Sequence, residues 1–205
     1  MIDGDTFESI DGRIFRLANV NSPEPSSKLS SKAKDYLKEY ENKTVSIEII
    51  EEDIYDRLLV RAYGNSYINL ESVSQGFSSK FLVYSNEVKL FGDSEKKAII
   101  NGIGIWNHSI YWGCFNIQVY PEEEYVQIEN FCNLDLSGFY IKDESRKIYK
   151  FLNISSNIIT LYTKDGVDTK EELFWSSTNV WNNDRDSAYL FDEKDNLAGY
   201  YSYGY

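Results

Sequence analysis

Within the first third of the chain, four features carry residue types suited to phosphoryl chemistry: Asp3-Gly4-Asp5-Thr6, then Arg16, then Asn21-Ser22-Pro23-Glu24, then the run from Asp53 to Arg57. Carboxylates can hold a hard divalent cation and orient a water, and two guanidiniums can grip a phosphate whose charge grows as the water attacks. In this reading Asp5 is the first cation ligand, Glu24 aligns or deprotonates the water, and Arg16 and Arg57 clamp the phosphate with planar donors that never lose their protons. Each feature alone has a plainer reading. Asp-Gly-Asp is a common turn, Pro23-Glu24 places an acid at a helix start, and Arg57 can form a surface ion pair with Asp53 or Asp56. It is the order of all four along the chain that points to phosphodiester cleavage.

The elements that must position these residues can be read from pattern. Thr6 to Ile10 and Arg13 to Val20 read as strands joined by the turn Asp11-Gly12, with Ile14 expected on the face opposite Phe15 and Arg16. Pro23 and Pro25 stop the sheet, and Ser26 or Ser27 can cap a helix whose apolar residues Leu29, Ala33, Leu37 and Tyr40 keep helical spacing. Thr44 to Glu51 and Leu58 to Tyr63 read as further strands. Asn69 is expected to cap a short helix ending at Gly76, Phe77 to Tyr84 to extend again, and a last helix to run from about Ser94 to Asn101. Periodicity alone supports an α+β class for this half. Beyond Trp112 the pattern changes to short apolar strands, among them 126–130, 139–143, 148–151, 158–162 and 186–192, separated by Asn, Asp and Gly turns, as in an antiparallel sandwich. The expected division is a first domain over 1–113 and a second over 114–205.

Charge narrows the function classes. The chain carries a net charge of −12, with 13 basic against 17 acidic residues up to Gly113 and 8 against 16 beyond it. Such a surface argues against coating nucleic acid by bulk electrostatics, so any attraction to a polyanion must be local and salt-sensitive. Cys114 and Cys132 lack metal-ligand spacing and read as buried or idle thiols, a disulfide requiring their strands to be neighbours. No apolar stretch is long enough to cross a bilayer and no signal peptide is read.

The runs Ile2-Asp3-Gly4-Asp5-Thr6-Phe7, Phe15-Arg16-Leu17-Ala18-Asn19-Val20-Asn21-Ser22-Pro23-Glu24 and Asp53-x-Tyr55-x-Arg57-Leu58-Leu59-Val60 resemble the staphylococcal nuclease (thermonuclease) family. The resemblance continues through Ile68-Asn69-Leu70, Gln75-Gly76-Phe77 and Glu95-Lys96-Lys97-Ala98 to Gly104-Ile105-Trp106. It implies a five-stranded Greek-key barrel of the oligonucleotide-binding (OB) type with helices. It also implies Ca2+ as cofactor, a DNA or RNA substrate cut with low sequence preference by endonuclease action at the phosphorus to 5′-oxygen bond, and an extracellular or cell-surface location. Asp5, Asn21, the Ser22 carbonyl and Glu24 would hold the metal, and Arg16, Glu24 and Arg57 would be catalytic. Asn21 departs from the family, which has an aspartate there, so a neutral amide replaces a charge and the site should be weaker. Met1 stands almost on the first motif, so either the natural start lies upstream or the barrel is short by one strand. The alternative reading is a nuclease-like barrel that binds nucleic acid or protein without catalysis.

The second half resembles a lamin-tail domain, an immunoglobulin-like module, through Leu136-Ser137-Gly138 and Trp181-Asn182-Asn183 with Asp186. That resemblance implies a binding or localisation role whose ligand it leaves open. Tyr63 and Tyr84 could stack bases or simply pack. His108, the single histidine, excludes a histidine-based relay and reads as structural. Glu122-Glu123-Glu124 and Glu51-Glu52-Asp53 read as solvated faces.

Overall fold

A computed structural model describes residues 1–25, 29–177 and 179–205 and divides into two compact units, Met1–Trp106 and Asn107–Tyr205. The expected caps Ser26 and Ser27 lie outside the described residues.

The first unit mixes helices and strands. Strands β1 (Thr6–Glu8) and β2 (Ile14–Leu17) form the expected hairpin, with Gly12 supplying a left-handed turn residue at φ 83°. A turn at Ala18-Asn19, with Asn19 at φ 66°, then leads into β3 (Val20–Asn21). Helix α1 (Ser30–Lys38) buries Ala33, Tyr36 and Leu37. Strands β4 (Ser46–Glu52) and β5 (Leu58–Tyr63) pair antiparallel, and β5 also runs parallel to β2, giving the order β1-β2-β5-β4. Helix α2 (Ile68–Ser74) follows, then β6 (Ser79–Lys80), which pairs only with β3. Helix α3 (Val88–Ile100) and a single 3-10 turn (Gly104–Trp106) close the unit.

Among the described residues no sheet closes on itself: the expected five-stranded barrel is not seen, and the strands form an open four-stranded sheet and a separate β3–β6 pair. Phe15, Leu17, Val60 and Ala62 of the sheet and Tyr36, Leu37, Val73, Phe91 and Trp106 of the helices and the 3-10 turn are buried apolar residues of this unit. Gly76 and Gly104, both at φ 64°, approach so closely that a Cβ on Gly76 would lie 2.2 Å from the Ile103 carbonyl oxygen, and the Ile105 N–H donates to the Gly76 carbonyl at 2.8 Å.

Several expectations are corrected. Cross-strand register puts Thr6 beside Arg16 and Glu8 beside Ile14, so Ile14 and Arg16 share one face and Phe15 alone turns into the core. Asn69 lies inside α2, which has no side-chain cap. Its amide instead accepts from the Ala62 N–H and donates to the carbonyls of Ala18 and Val60, stitching β5 to the end of β2. Helix α3 begins six residues before the expected Ser94, and Phe77 to Tyr84 contains only the short β6.

The second unit is all-β. Strands β7 (Phe115–Tyr120), β8 (Tyr125–Asn130), β11 (Ile158–Tyr162) and β12 (Glu172–Phe174) make one sheet in the order β12-β11-β8-β7. Strands β9 (Tyr140–Lys142), β10 (Ile148–Lys150), β13 (Asp186–Phe191) and β14 (Leu197–Tyr203) make the other, in the order β10-β9-β13-β14. The inner residues of both sheets, including Val126, Ile128, Ile141, Leu161, Ala188 and Leu190, form one apolar core with Phe151, Trp175 and Trp181. Cys114 and Cys132 are disulfide-bonded across the ends of the β7–β8 hairpin, which overturns the reading of idle thiols. Asp186 behaves as expected of its turn, accepting from the backbone N–H and the side-chain amide of Asn182 at 3.1 Å each.

Candidate active site

The Asp3-Gly4-Asp5-Thr6 loop is drawn tight by its own side chains. Asp3 accepts the Asp5 N–H at 2.9 Å, an Asx turn, and a Cβ on Gly4 would sit 2.5 Å from the Ala33 Cβ and 2.8 Å from that of Ser22. Glycine therefore lets this loop press against α1 and against the segment after β3. The pressed loop delivers Asp5 to Ser22, whose N–H donates to Asp5 Oδ2 at 2.8 Å, while the Thr6 hydroxyl donates to Oδ1 at 2.9 Å.

Arg16 reaches the same place from β2. Its Nη2 lies 3.7 Å from Asp5 Oδ2 and donates to Asn21 Oδ1 at 3.3 Å, and its Nη1 donates to the Leu17 carbonyl at 3.0 Å. Asp5, Asn21 and Ser22 are all buried. Burial by itself pushes the Asp5 carboxyl up, but the Arg16 charge and the hydrogen bonds from Ser22 and Thr6 outweigh it and hold this group below the usual carboxylate range. Burial and the neighbouring Asp5 charge push Asp3 the other way. The two carboxylates of one turn are thus set to different affinities for a proton.

Arg57 stands just before β5. Leu59 of β5 lies opposite Arg16 in the parallel β2–β5 pair, so the two arginines come from neighbouring strands. Both the Nε (2.8 Å) and the Nη2 (2.7 Å) of Arg57 reach Asp53 Oδ2, and Asp53 Oδ1 accepts the N–H groups of Tyr55 and Arg57. Burial raises the Asp53 carboxyl, and these donors more than offset it, leaving it below the usual range. Asp53 is therefore an organiser of the Arg57 loop and not simply part of a solvated acidic run. Glu24 lies two residues beyond Ser22 and is exposed.

The structure thus brings Asp5, Arg16, Asn21 and Ser22 together and sets Arg57 at the start of β5, the strand that pairs with β2. A calcium ion takes six to eight oxygens at 2.3–2.6 Å. Here the Asp5 and Asn21 side-chain oxygens already face the Arg16 guanidinium, and among the described residues no group of three or more His, Cys, Asp or Glu side chains could hold a metal. As arranged, these residues do not fit calcium and Arg16 together.

A second polar knot on the same sheet face had no signal in the sequence. The nearly buried Glu87 accepts from the Asn19 amide (2.8 Å), from Arg61 Nε and Nη2 (2.8 Å each) and from the Tyr67 hydroxyl (2.9 Å). Arg61 also pairs with Glu48 across β4–β5, and its guanidinium lies 5.5 Å from the centre of the Tyr84 ring, whose hydroxyl donates to Glu51. Tyr63 stacks on Tyr67 with centroids 4.9 Å apart. The two tyrosines considered for base stacking therefore each have a protein group against the ring. His108 stacks on Trp112 at 3.9 Å and bridges to Leu197 in the second unit.

Compared with known proteins, residues 14–108 match the family model described as staphylococcal nuclease homologue. The matched stretch holds Arg16, Asn21, Ser22, Glu24 and Arg57, and it supports the staphylococcal nuclease family for the first unit. Comparison with curated proteins gives no match.

Proposed function

We propose that the first unit, similar to staphylococcal nuclease homologues over residues 14–108, is a phosphodiester hydrolase that cuts DNA or RNA internally with low sequence preference. The observation that carries this reading is the convergence of Asp5, Arg16, Asn21 and Ser22 on one buried contact, with Arg57 held by Asp53 at the start of β5, the strand that pairs with β2. Arg16 on β2 and Arg57 just before β5 come from neighbouring strands, and on this reading both guanidiniums close on one phosphate. Glu24 takes a proton from the attacking water, and the two arginines stabilise the extra negative charge on the pentacoordinate phosphorus. The bond to the 5′-oxygen then breaks, the leaving oxygen takes a proton from solvent to become a 5′-hydroxyl, and a 3′-phosphate remains. Calcium, which the resemblance implies, is not given a step, because its candidate oxygens are engaged by Arg16.

We read the first unit as an OB-type barrel lineage and the second as a lamin-tail-like, immunoglobulin-like module that binds or localises the enzyme. Two four-stranded sheets around one core support the latter. The Cys114–Cys132 disulfide supports an extracellular or cell-surface location, where thiols stay oxidised. Among the described residues no helix is long and apolar enough to cross a membrane.

The test is incubation of the full chain with single-stranded DNA and with RNA, with calcium and with a chelator, followed by end analysis of the fragments. Internal cuts bearing 3′-phosphates are expected, and intact polymer under every condition would overturn the assignment. A non-catalytic binding role is favoured by one observation, the engagement of Arg57 by Asp53. Retention of oligonucleotide without cleavage would establish that role instead.

A further inference from the structure

Four aromatic side chains cross the outer face of the β12-β11-β8-β7 sheet in one row. Register places Tyr120 opposite Tyr125, Tyr125 opposite Tyr162 and Tyr162 opposite Phe174, while the adjacent Val119, Val126, Leu161 and Leu173 belong to the core. Ring centroids along the row lie 4.5, 5.5 and 5.3 Å apart, and all four rings are half-buried. Glu122, Glu123 and Glu124 form the exposed turn between Tyr120 and Tyr125. Thr163 ties that turn to the loop after β11 by donating its N–H (2.8 Å) and its hydroxyl (3.0 Å) to the Glu124 carbonyl. From this loop Lys164 lays its ammonium 4.7 Å from the centre of the Tyr162 ring. The four strands carry Glu129 and Glu172 and no lysine or arginine, so the sheet is both aromatic and acidic. Burial, then Tyr120 and the Glu123 charge push the Tyr125 phenol up, which keeps it neutral.

A neutral sugar gains nothing from the carboxylates, and nucleic acid is repelled by them. A cation gains from rings and carboxylates together, and Lys164 already takes such a position. Guanidinium suits the row better than ammonium, because it is planar, weakly hydrated and stacks on rings. We propose that this face docks an arginine-rich segment of a partner protein, its guanidiniums lying along the row from Tyr120 to Phe174 and pairing with the carboxylates of the 122–124 turn. Strands about 4.8 Å apart make the row roughly 14 Å long, the reach of about four extended residues with arginines at alternate positions. The docking role is independent of the hydrolase reading of the first unit.

The experiment is fluorescence anisotropy of a labelled octapeptide of alternating arginine and glycine, titrated with the full chain at physiological ionic strength. Each variant is first checked for folding by circular dichroism. Tyr120→Leu with Tyr125→Leu is expected to weaken binding roughly tenfold. Glu122→Gln with Glu123→Gln should weaken it about threefold, while Glu39→Gln with Glu41→Gln, which removes the same charge from exposed positions of the first unit, should change it little. If the leucine pair does not fold, Lys164→Gln keeps the test, because freeing the Tyr162 ring should tighten binding about threefold. Lys170→Gln, an equal change of charge in the same loop, should not tighten it. Unchanged binding by the leucine pair, equal losses for the two glutamate pairs, or equal gains for the two lysines would each overturn the proposal. So would a wild type that retains laminarihexaose or oligothymidine but not the arginine peptide.

Discussion

Asp53 holds Arg57 through a single oxygen, Oδ2, which receives both Nε and Nη2, while its other oxygen receives two backbone N–H groups of the same loop. The carboxylate thus fixes the guanidinium plane and the loop that carries it. Asp53→Asn keeps an oxygen for the loop but loses the charge that orients Arg57. It is expected to lower turnover on single-stranded DNA by roughly ten- to a hundredfold, chiefly in kcat. Arg57→Lys removes the planar donor outright and should cost about a hundred- to thousandfold. Steady-state kinetics of the two variants check the order.

Glu24 is exposed, so its replacement should leave the apolar core intact. Glu24→Gln is expected to reduce cleavage by roughly a hundred- to ten-thousandfold, the usual contribution of a positioned proton acceptor. Binding to a labelled oligonucleotide, followed by fluorescence anisotropy, should change little. A parallel loss of binding would reassign Glu24 to holding the strand.

Lys80 and Glu95 form an ion pair at 2.7 Å with side chains only 1% and 2% exposed, and Glu95 also accepts the Lys80 N–H at 2.9 Å. Breaking one side of such a pair strands a buried charge. Lys80→Met alone is expected to destabilise the chain by about 3–5 kcal/mol. The double change Lys80→Met with Glu95→Gln should recover most of the loss, because glutamine still accepts from the backbone N–H of residue 80 without a buried charge. Urea unfolding of the single and double variants makes the comparison.

The second unit buries Asp186 beside Glu144 and Asp143, and burial first, then the Glu144 charge, pushes the Asp186 carboxyl from 3.8 up to about 7. A raised folded value means that its contribution is fully present below the unfolded value and is lost as pH climbs through the folded one. The thermal stability of the wild-type chain should therefore fall as pH rises from about 4 to about 7, relative to Asp186→Asn, in which that dependence is flattened. Parallel profiles for the two proteins would contradict the assignment.

Cys114 and Cys132 are 18 residues apart, and closing such a loop stabilises by about 3 kcal/mol in the chain-entropy description. Reduction should lower the unfolding midpoint of the second unit. Thermal melts with and without reductant measure it.

Local chemistry in the sequence anticipated local structure. The Asp11-Gly12 hairpin, strand Leu58–Tyr63 and the Asp186 turn were readable because the residues that stabilise each lie within a few positions of one another. What failed was long-range. Helix α3 was read too short because its first turns hold Gly92 and an exposed Leu90 beside the buried Phe91, which blurs the helical pattern there. Asn69 looked like a cap because its carbonyl partners, Ala18 and Val60, lie 51 and 9 residues away. Glu87 gave no local signal at all, since Asn19, Arg61 and Tyr67 meet it only after folding. At the site itself the residue types were legible, but not the seating of Arg16 on the oxygens assigned to a metal.

The parallel pairing of β2 with β5 has a temporal consequence. Neighbouring antiparallel strands can zip from a turn, but this pair meets only after everything between residues 17 and 58 has found its course. On the proposed reading, the placing of Arg16 and Arg57 depends on this long-range pairing and not on either local turn. A chain nicked between the two strands would carry every residue of that site without the covalent link that brings the strands together.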